Sequence, residues 1–268
     1  MQGKGEGGKP MKQYVVDAFT DRLFAGNPAA VCVLEQWLSD ELMRGIAAEN
    51  NLSETAFAVR EPNGAYRMRW FAPGGEIDFC GHATLGTSFV IANYIEPGLE
   101  RIVFHTQAGK LMVEARDGMF EMDFPAYALR AIAVTDAMAD ALGARPLEAY
   151  LDRDLLLVMD SERTVGRLKP DMDKVRELDG LLVAVTARGS RYDCVSRVFA
   201  PKLNVKEDPV TGSAHCMIAP YWARQLRKNT LTAYQASART GILHAKVCGE
   251  RVKLAGTAVL FAVSELHV

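Results

Sequence analysis

The sequence predicts an α/β (α+β) chain of two similar halves, each a small rolled sheet or barrel around a buried central helix. Three observations carry this. Phe71-Ala72-Pro73 recurs as Phe199-Ala200-Pro201. Ten residues after the first phenylalanine stands Gly81-His82-Ala83, and thirteen after the second stands Gly212-Ser213-Ala214, each opening an apolar run. Around these anchors short β-rich segments outnumber helical ones, and the order of elements repeats, which points to duplication.

Lys12–Phe19 and Ala29–Leu34 read as strands on either side of a Gly26-Asn27-Pro28 turn. Ser39 is placed to cap a helix running through Glu49, with Leu42 and Ile46 on its apolar side. Strands follow at Thr55–Val59 and Tyr66–Phe71; in the second, Tyr66, Met68 and Trp70 share one face and Arg67 and Arg69 the other. From His82 to Ile95 the chain is apolar on nearly every side, so this helix must be enclosed by protein. Strands at Ile102–Thr106, Lys110–Ala115 and Met119–Phe124 flank Gly109 and the Asp117-Gly118 hairpin signal, and Pro125 closes the half. In the second half, Asp171–Thr186 mirrors the earlier helix-then-strand. A helix over Ser213–Leu226 mirrors the apolar one, and Val252–Val263 forms a β-rich ending with a bend at Gly256. The domain reading is residues 1–10 as a flexible leader, 11–126 and 127–254 as the two domains, and a last strand, about 255–268, that can rejoin the first.

At 268 residues, 49% hydrophobic and 24% charged, the chain suits two ordinary globular domains. A formal net charge of -2 offers no basic surface for nucleic acid, and no apolar run approaches the roughly 20 residues that span a bilayer. MQGKGEGGKP has no apolar core of a secretory signal, so a cytoplasmic location is expected. The five cysteines (Cys32, Cys80, Cys194, Cys216, Cys248) are scattered without CxxC pairs, and the histidines show no metal spacing. Neither a disulfide framework nor a metal site is therefore expected.

The two helix entrances, Gly81-His82 and Thr211-Gly212-Ser213, set small residues where unpaired backbone N–H groups emerge, an arrangement that favours anions. Each alone reads as a cap with glycine for close packing. Repetition, with His82 at one and Asp208 and Ser213 at the other, favours function. Glu54 begins a strand after Glu49-Asn50-Asn51; facing solvent it is an ordinary surface acid, whereas in a cleft it suits a general base. Asp208-Pro209 is by default a turn, and His82 by default a core histidine. A thiol before a helix entrance is a candidate for activation, but two-base thiol chemistry needs a second cysteine, and the position matching Cys80 is Thr211. Packing is the better reading of Cys80.

Asn50-Asn51-Leu52-Ser53-Glu54-Thr55-Ala56-Phe57, Cys80-Gly81-His82-Ala83-Thr84-Leu85-Gly86 and Glu207-Asp208-Pro209-Val210-Thr211-Gly212-Ser213-Ala214-His215 together resemble the PhzF-like isomerase family, named for phenazine biosynthesis. The opening Asp17-Ala18-Phe19 through Gly26-Asn27-Pro28-Ala29 is similar too, so the resemblance spans Lys12 to the C-terminus. It implies a diaminopimelate epimerase-like fold of two pseudo-symmetric domains with the active site between them. It further implies that Glu54 is the acid/base, with His82, Asp208 and Ser213 in the catalytic site and Gly81, Ala83, Thr211 and Gly212 binding substrate. No metal or organic cofactor is implied. The expected partner is a small carboxylate-bearing metabolite, with a homodimer and no nucleic acid or membrane. Two alternatives stay open: an amino-acid epimerase or racemase using Glu54 or Cys80, and a non-catalytic metabolite- or partner-binding protein.

Overall fold

The computed structural model describes residues 10–268; all but the last residue of the expected 1–10 leader lie outside the described residues. The chain divides into two compact units. One comprises residues 10–24, Pro28–Met122 and Thr257–Val268, and the other Ala25–Asn27 and Asp123–Gly256.

The first unit opens with β1 (Met11–Ala18) and β2 (Asn27–Leu34). Helix α1 (Asp40–Asn50) starts where its sequence signals place it: the Ser39 hydroxyl accepts the Leu42 N–H, and Asp40 and Glu41 sit in the first turn. Its apolar face, Met43, Ile46 and Ala47, packs with Phe57 and Phe71, and Asn51 closes it in the left-handed region at φ 49°. β3 (Glu54–Arg60) and β4 (Tyr66–Ala72) follow. Tyr66, Met68 and Trp70 are buried and Arg67 exposed, as the alternation requires. After β5 (Gly75–Ile77) comes α2 (Gly81–Val90), enclosed on almost all sides and packed on β1 and β3. One expectation is corrected here. The enclosed helix ends at Ile91, and Ile91–Ile95 widens into a π-type turn with Asn93, Tyr94 and Ile95 exposed. Polar Asn93 and the amphipathic Tyr94 ring tolerate water, so enclosure stops a turn before the apolar run does. β6 (Arg101–Thr106), β7 (Gly109–Arg116) and β8 (Met119–Pro125) form an antiparallel meander. Its Asp117-Gly118 turn has positive φ at both residues, 53° and 76°.

The second unit begins with β9 (Arg130–Ile132), α3 (Asp136–Leu142), β10 (Glu148–Leu151), β11 (Leu155–Val158) and α4 (Glu162–Arg167), in a stretch where sequence patterning assigns no element. Next come α5 (Met172–Glu177), β12 (Val183–Arg188), β13 (Cys194–Ala200), β14 (Val205–Asp208), α6 (Gly212–Leu226), β15 (Thr230–Gln235), β16 (Gly241–Cys248) and β17 (Arg251–Gly256). Helix α6 packs on β12, β15, β16 and β17. The chain breaks at Thr257, beside the expected Gly256 bend, and β18 (Ala258–Leu266) pairs antiparallel with β1 in the first unit.

Strand pairing makes the duplication explicit. In the first unit β2–β3 is parallel, β3–β4 and β4–β5 antiparallel, β4–β6 parallel, and β6–β7 and β7–β8 antiparallel. In the second, β11–β12 is parallel, β12–β13 and β13–β14 antiparallel, β13–β15 parallel, and β15–β16 and β16–β17 antiparallel. Register aligns the halves residue by residue. Phe71 stands opposite Thr55, and its repeat Phe199 opposite Val183. Glu54 therefore corresponds to Leu182. Ala30 pairs with Thr55 and Leu155 with Val183, so Pro28 corresponds to Arg153.

Candidate active site

Four of the expected site residues, Glu54, Gly81, His82 and Ala83, lie in the first unit, and Asp208, Thr211, Gly212 and Ser213 in the second. In each unit they gather at the entrance of the central helix.

In the first unit, the loop that delivers Glu54 is pinned from behind. Asn50 Nδ2 donates to Gln13 Oε1 at 2.8 Å and to Thr55 Oγ1 at 3.0 Å, while Gln13 Nε2 donates back to Asn50 Oδ1 at 3.1 Å. Glu54, first residue of β3, is thereby set against α2. Its Oε2 lies 3.0 Å from His82 Nε2, with side-chain exposures of 17% and 7%. A surface acid is thus the wrong reading of Glu54. Apart from this contact, Oε2 is a buried acceptor without a donor. Cys80 Sγ lies 3.4 Å from His82 Nδ1 and 4.0 Å from Nε2. Burial penalises the imidazolium, yet the flanking Cys80 and Glu54 carry the net shift upward, and His82 is held well above 6.5. Burial, with the Glu54 charge, pushes the Cys80 thiol up to about 11. Near neutrality the thiol is therefore protonated, and Glu54 and His82 stand side by side as two groups that can each hold a proton.

In the second unit the entrance is a hydrogen-bond network built on Asp208. Asp208 Oδ1 accepts from Asn27 Nδ2 at 2.8 Å and Oδ2 from Thr211 Oγ1 at 2.5 Å. Gln235 Oε1 accepts the Thr211 N–H at 2.9 Å, and its Nε2 donates to the Asp208 carbonyl at 2.7 Å. Asn27 also donates to the Val210 carbonyl at 3.0 Å. Asp208 thus clamps the 208–211 turn that presents α6. Ser213, second residue of the helix, accepts a hydrogen bond at 2.9 Å from Arg153 Nη2, which also binds Asp154 Oδ2 at 2.6 Å. Asp154 is fully buried, and the guanidinium lies 5.0 Å from the Tyr127 ring centroid. A guanidinium beside a helix N-terminus and a serine hydroxyl is an arrangement that favours anions.

Arg153, Asn27 and Gln235 were not singled out by sequence reasoning. Asn27 lies in the quoted Gly26-Asn27-Pro28 turn, a signal that went unused. Arg153 and Gln235 have no local motif and reach the site through β-sheet register. Both helix N-caps, Cys80 and Thr211, make no side-chain cap bond. In each half the residue four positions on returns to the cap carbonyl: Thr84 Oγ1 to Cys80 O at 2.6 Å, and His215 Nδ1 to Thr211 O at 2.8 Å. The matching of Cys80 with Thr211 is therefore structural as well as sequential. Among the described residues no helix is long and apolar enough to cross a membrane.

Comparison with known proteins identifies the family and the fold. The profile of the phenazine biosynthesis-like protein family (PhzC-PhzF) matches residues 16–264. An uncharacterized isomerase of Pseudomonas aeruginosa is 47% identical over 255 residues, 95% of this chain and 98% of that protein. The crystal structure of a phenazine biosynthesis PhzF-family protein from Enterococcus faecalis superimposes with a TM-score of 0.95 at 47% identity, covering 97% of this chain and 100% of that one. A hydroxyproline epimerase from Agrobacterium vitis shares the fold alone, with a TM-score of 0.63 at 9% identity over 97% of this chain and 93% of that one. This chain accordingly belongs to the phenazine biosynthesis-like family, has the diaminopimelate epimerase-like fold of two related α/β halves, and is an enzyme of the isomerase class.

Proposed function

We propose that the chain is a proton-shuttling isomerase acting on a small carboxylate-bearing metabolite, with Glu54 as the acid/base. The supporting observation is the Glu54–His82 pair at 3.0 Å, its shared carboxylate oxygen buried. In this reading the Glu54 carboxylate takes a proton from a carbon next to an unsaturated system, and the C–H electron pair enters that system. Glu54 then returns the same proton at another carbon, so nothing is oxidised or reduced. His82 beside it holds the carboxylate oriented. One positioned acid/base of this kind contributes about 10²–10⁴-fold. The α6 entrance supplies the anion recognition: the Gly212 and Ser213 backbone, the Ser213 hydroxyl and Arg153. Asp208, engaged at both oxygens, holds that entrance in shape. We further propose that the protein works without an organic cofactor and as a homodimer, the latter open to light scattering.

A two-thiol epimerase reading is less well supported, because Thr211 stands where the second cysteine is needed and Cys80 is a protonated thiol. The test is deuterium wash-in followed by proton NMR in D₂O, using a panel of small unsaturated acids and amino acids with wild type and Glu54→Gln. Exchange by wild type alone is expected. Exchange that persists in Glu54→Gln removes Glu54 from the role. Tight ligand binding with no exchange points instead to a binding protein.

A further inference from the structure

Glu54, Cys80 and His82 have a second use that their sequence spacing conceals. The three ligand atoms, a carboxylate oxygen, a thiol sulfur and an imidazole nitrogen, all lie within 4.8 Å of one another. His82 Nε2 is 3.0 Å from Glu54 Oε2 and 4.0 Å from Cys80 Sγ. Around a tetrahedral Zn²⁺, with bonds of roughly 2.0–2.3 Å, neighbouring donors stand about 3.3–3.6 Å apart. Side-chain rotations on the order of an ångström bring the three onto such a centre.

The chemistry of the set agrees. On binding, Cys80 gives up its thiol proton and His82 its imidazolium proton to solvent; as thiolate and carboxylate, Cys80 and Glu54 then carry two negative charges, which a divalent cation neutralises inside a buried pocket. A thiolate with an imidazole selects Zn²⁺ or Co²⁺ over Mg²⁺ and Ca²⁺, which want oxygen donors. Glu54 Oε2 is a buried acceptor lacking a hydrogen-bond donor, the kind of atom a cation satisfies. The repeat offers an internal control: the register-equivalent positions hold Leu182, Thr211 and Ser213, a set with no thiol, imidazole or carboxylate.

We propose that Glu54, Cys80 and His82 form a three-ligand site for a thiophilic divalent cation of the Zn²⁺ class, with a fourth position left for water. Metal and proton then compete for the same Glu54 oxygen, so the occupied site cannot shuttle protons. This blocking rests on the isomerase reading above; the binding does not.

The test uses Co²⁺ as an optical probe on the full chain in a Cys248→Ser background, which removes the exposed thiol. One equivalent of Co²⁺ is expected to give a thiolate-to-metal charge-transfer band with four-coordinate visible bands, displaced one for one by Zn²⁺. Adding Cys80→Ser abolishes the charge-transfer band. Glu54→Gln and His82→Gln keep the band and weaken binding beyond the roughly 10–100-fold that loss of an outer-shell partner costs. These two variants also carry the test if Cys80→Ser does not fold. Absence of the band in Cys248→Ser, or its survival in Cys80→Ser, overturns the site. Deuterium exchange that continues at full metal occupancy overturns the blocking. Absence of exchange in metal-free protein counts against the isomerase reading and leaves the site standing.

Discussion

The entrance of α2 and the entrance of α6 are copies of one design that have diverged in opposite chemical directions. In the first, register positions one before Thr55, at the helix cap and two beyond it hold Glu54, Cys80 and His82, three titratable groups within 4.8 Å. In the second the same positions hold Leu182, Thr211 and Ser213, and charge enters instead from Arg153, which replaces Pro28. One copy gathers three titratable groups, and the other is a hydrogen-bonded turn with Arg153 beside the helix entrance. A duplicated fold supplies two helix N-termini at no extra evolutionary step, and the chemical difference between them arises from a few side chains.

The strongest way to break this comparison is at the acid. Glu54→Gln keeps size and removes the base, and deuterium exchange is expected to fall by about 10²–10⁴-fold with binding little changed. If Glu54→Gln retained exchange, the first entrance would lose its special role.

Next is the cation of the second entrance. Arg153→Met removes the partner of fully buried Asp154 and is expected to lower unfolding stability in urea by about 3 kcal/mol, toward the low end for broken buried pairs because the arginine is partly exposed. Arg153→Met with Asp154→Leu is expected to recover most of that loss while leaving anion binding weak. In kinetics Arg153→Met should raise KM, against the kcat effect of Glu54→Gln. A double variant with normal KM would show that the pair is only structural.

His215 sharpens the contrast through pH. Burial pulls its pKa down from 6.5 to about 4, the bond to the Thr211 carbonyl opposing only in part. Unfolded, the residue takes a proton near pH 6.5; folded, it stays neutral to about pH 4. The unfolded chain therefore binds more protons between these values, and stability is lost as pH falls through that window, by about 3 kcal/mol in total. Urea unfolding of His215→Gln against wild type, from pH 7 downward, should show a shallower acid limb. An unchanged limb would mean His215 does not contribute.

The smallest expected effect is at the thiol. With its pKa near 11, Cys80 is neutral at physiological pH and touches His82 as an ordinary polar neighbour. In metal-free protein Cys80→Ser should reduce exchange by less than about tenfold, the scale of one hydrogen bond of about 1 kcal/mol. A loss as large as that of Glu54→Gln would bring the thiol into the chemistry and revive the epimerase reading.

Much of this architecture was legible in local signals. Ser39 announced α1, Asp117-Gly118 its hairpin, the Tyr66–Trp70 alternation its strand, and the Phe-Ala-Pro repeat the duplication, because each is a short-range preference of backbone or side chain. The stretch between Pro125 and Asp171 was not legible: its strands are three or four residues long and its helices six or seven, too short for a hydrophobic period to show.

By itself, then, the sequence determined the two-half plan, the two helix entrances and the residue types at each, since repeats and caps are written along the chain. Tertiary structure decided which of them meet. Glu54 reaches His82 and Cys80 at the α2 entrance from the start of β3, Arg153 reaches Ser213 through parallel pairing of β11 with β12, and Gln235 closes the Asp208 turn from β15. Such contacts are set by sheet register, and register is a property of strands brought together, which neither strand carries alone.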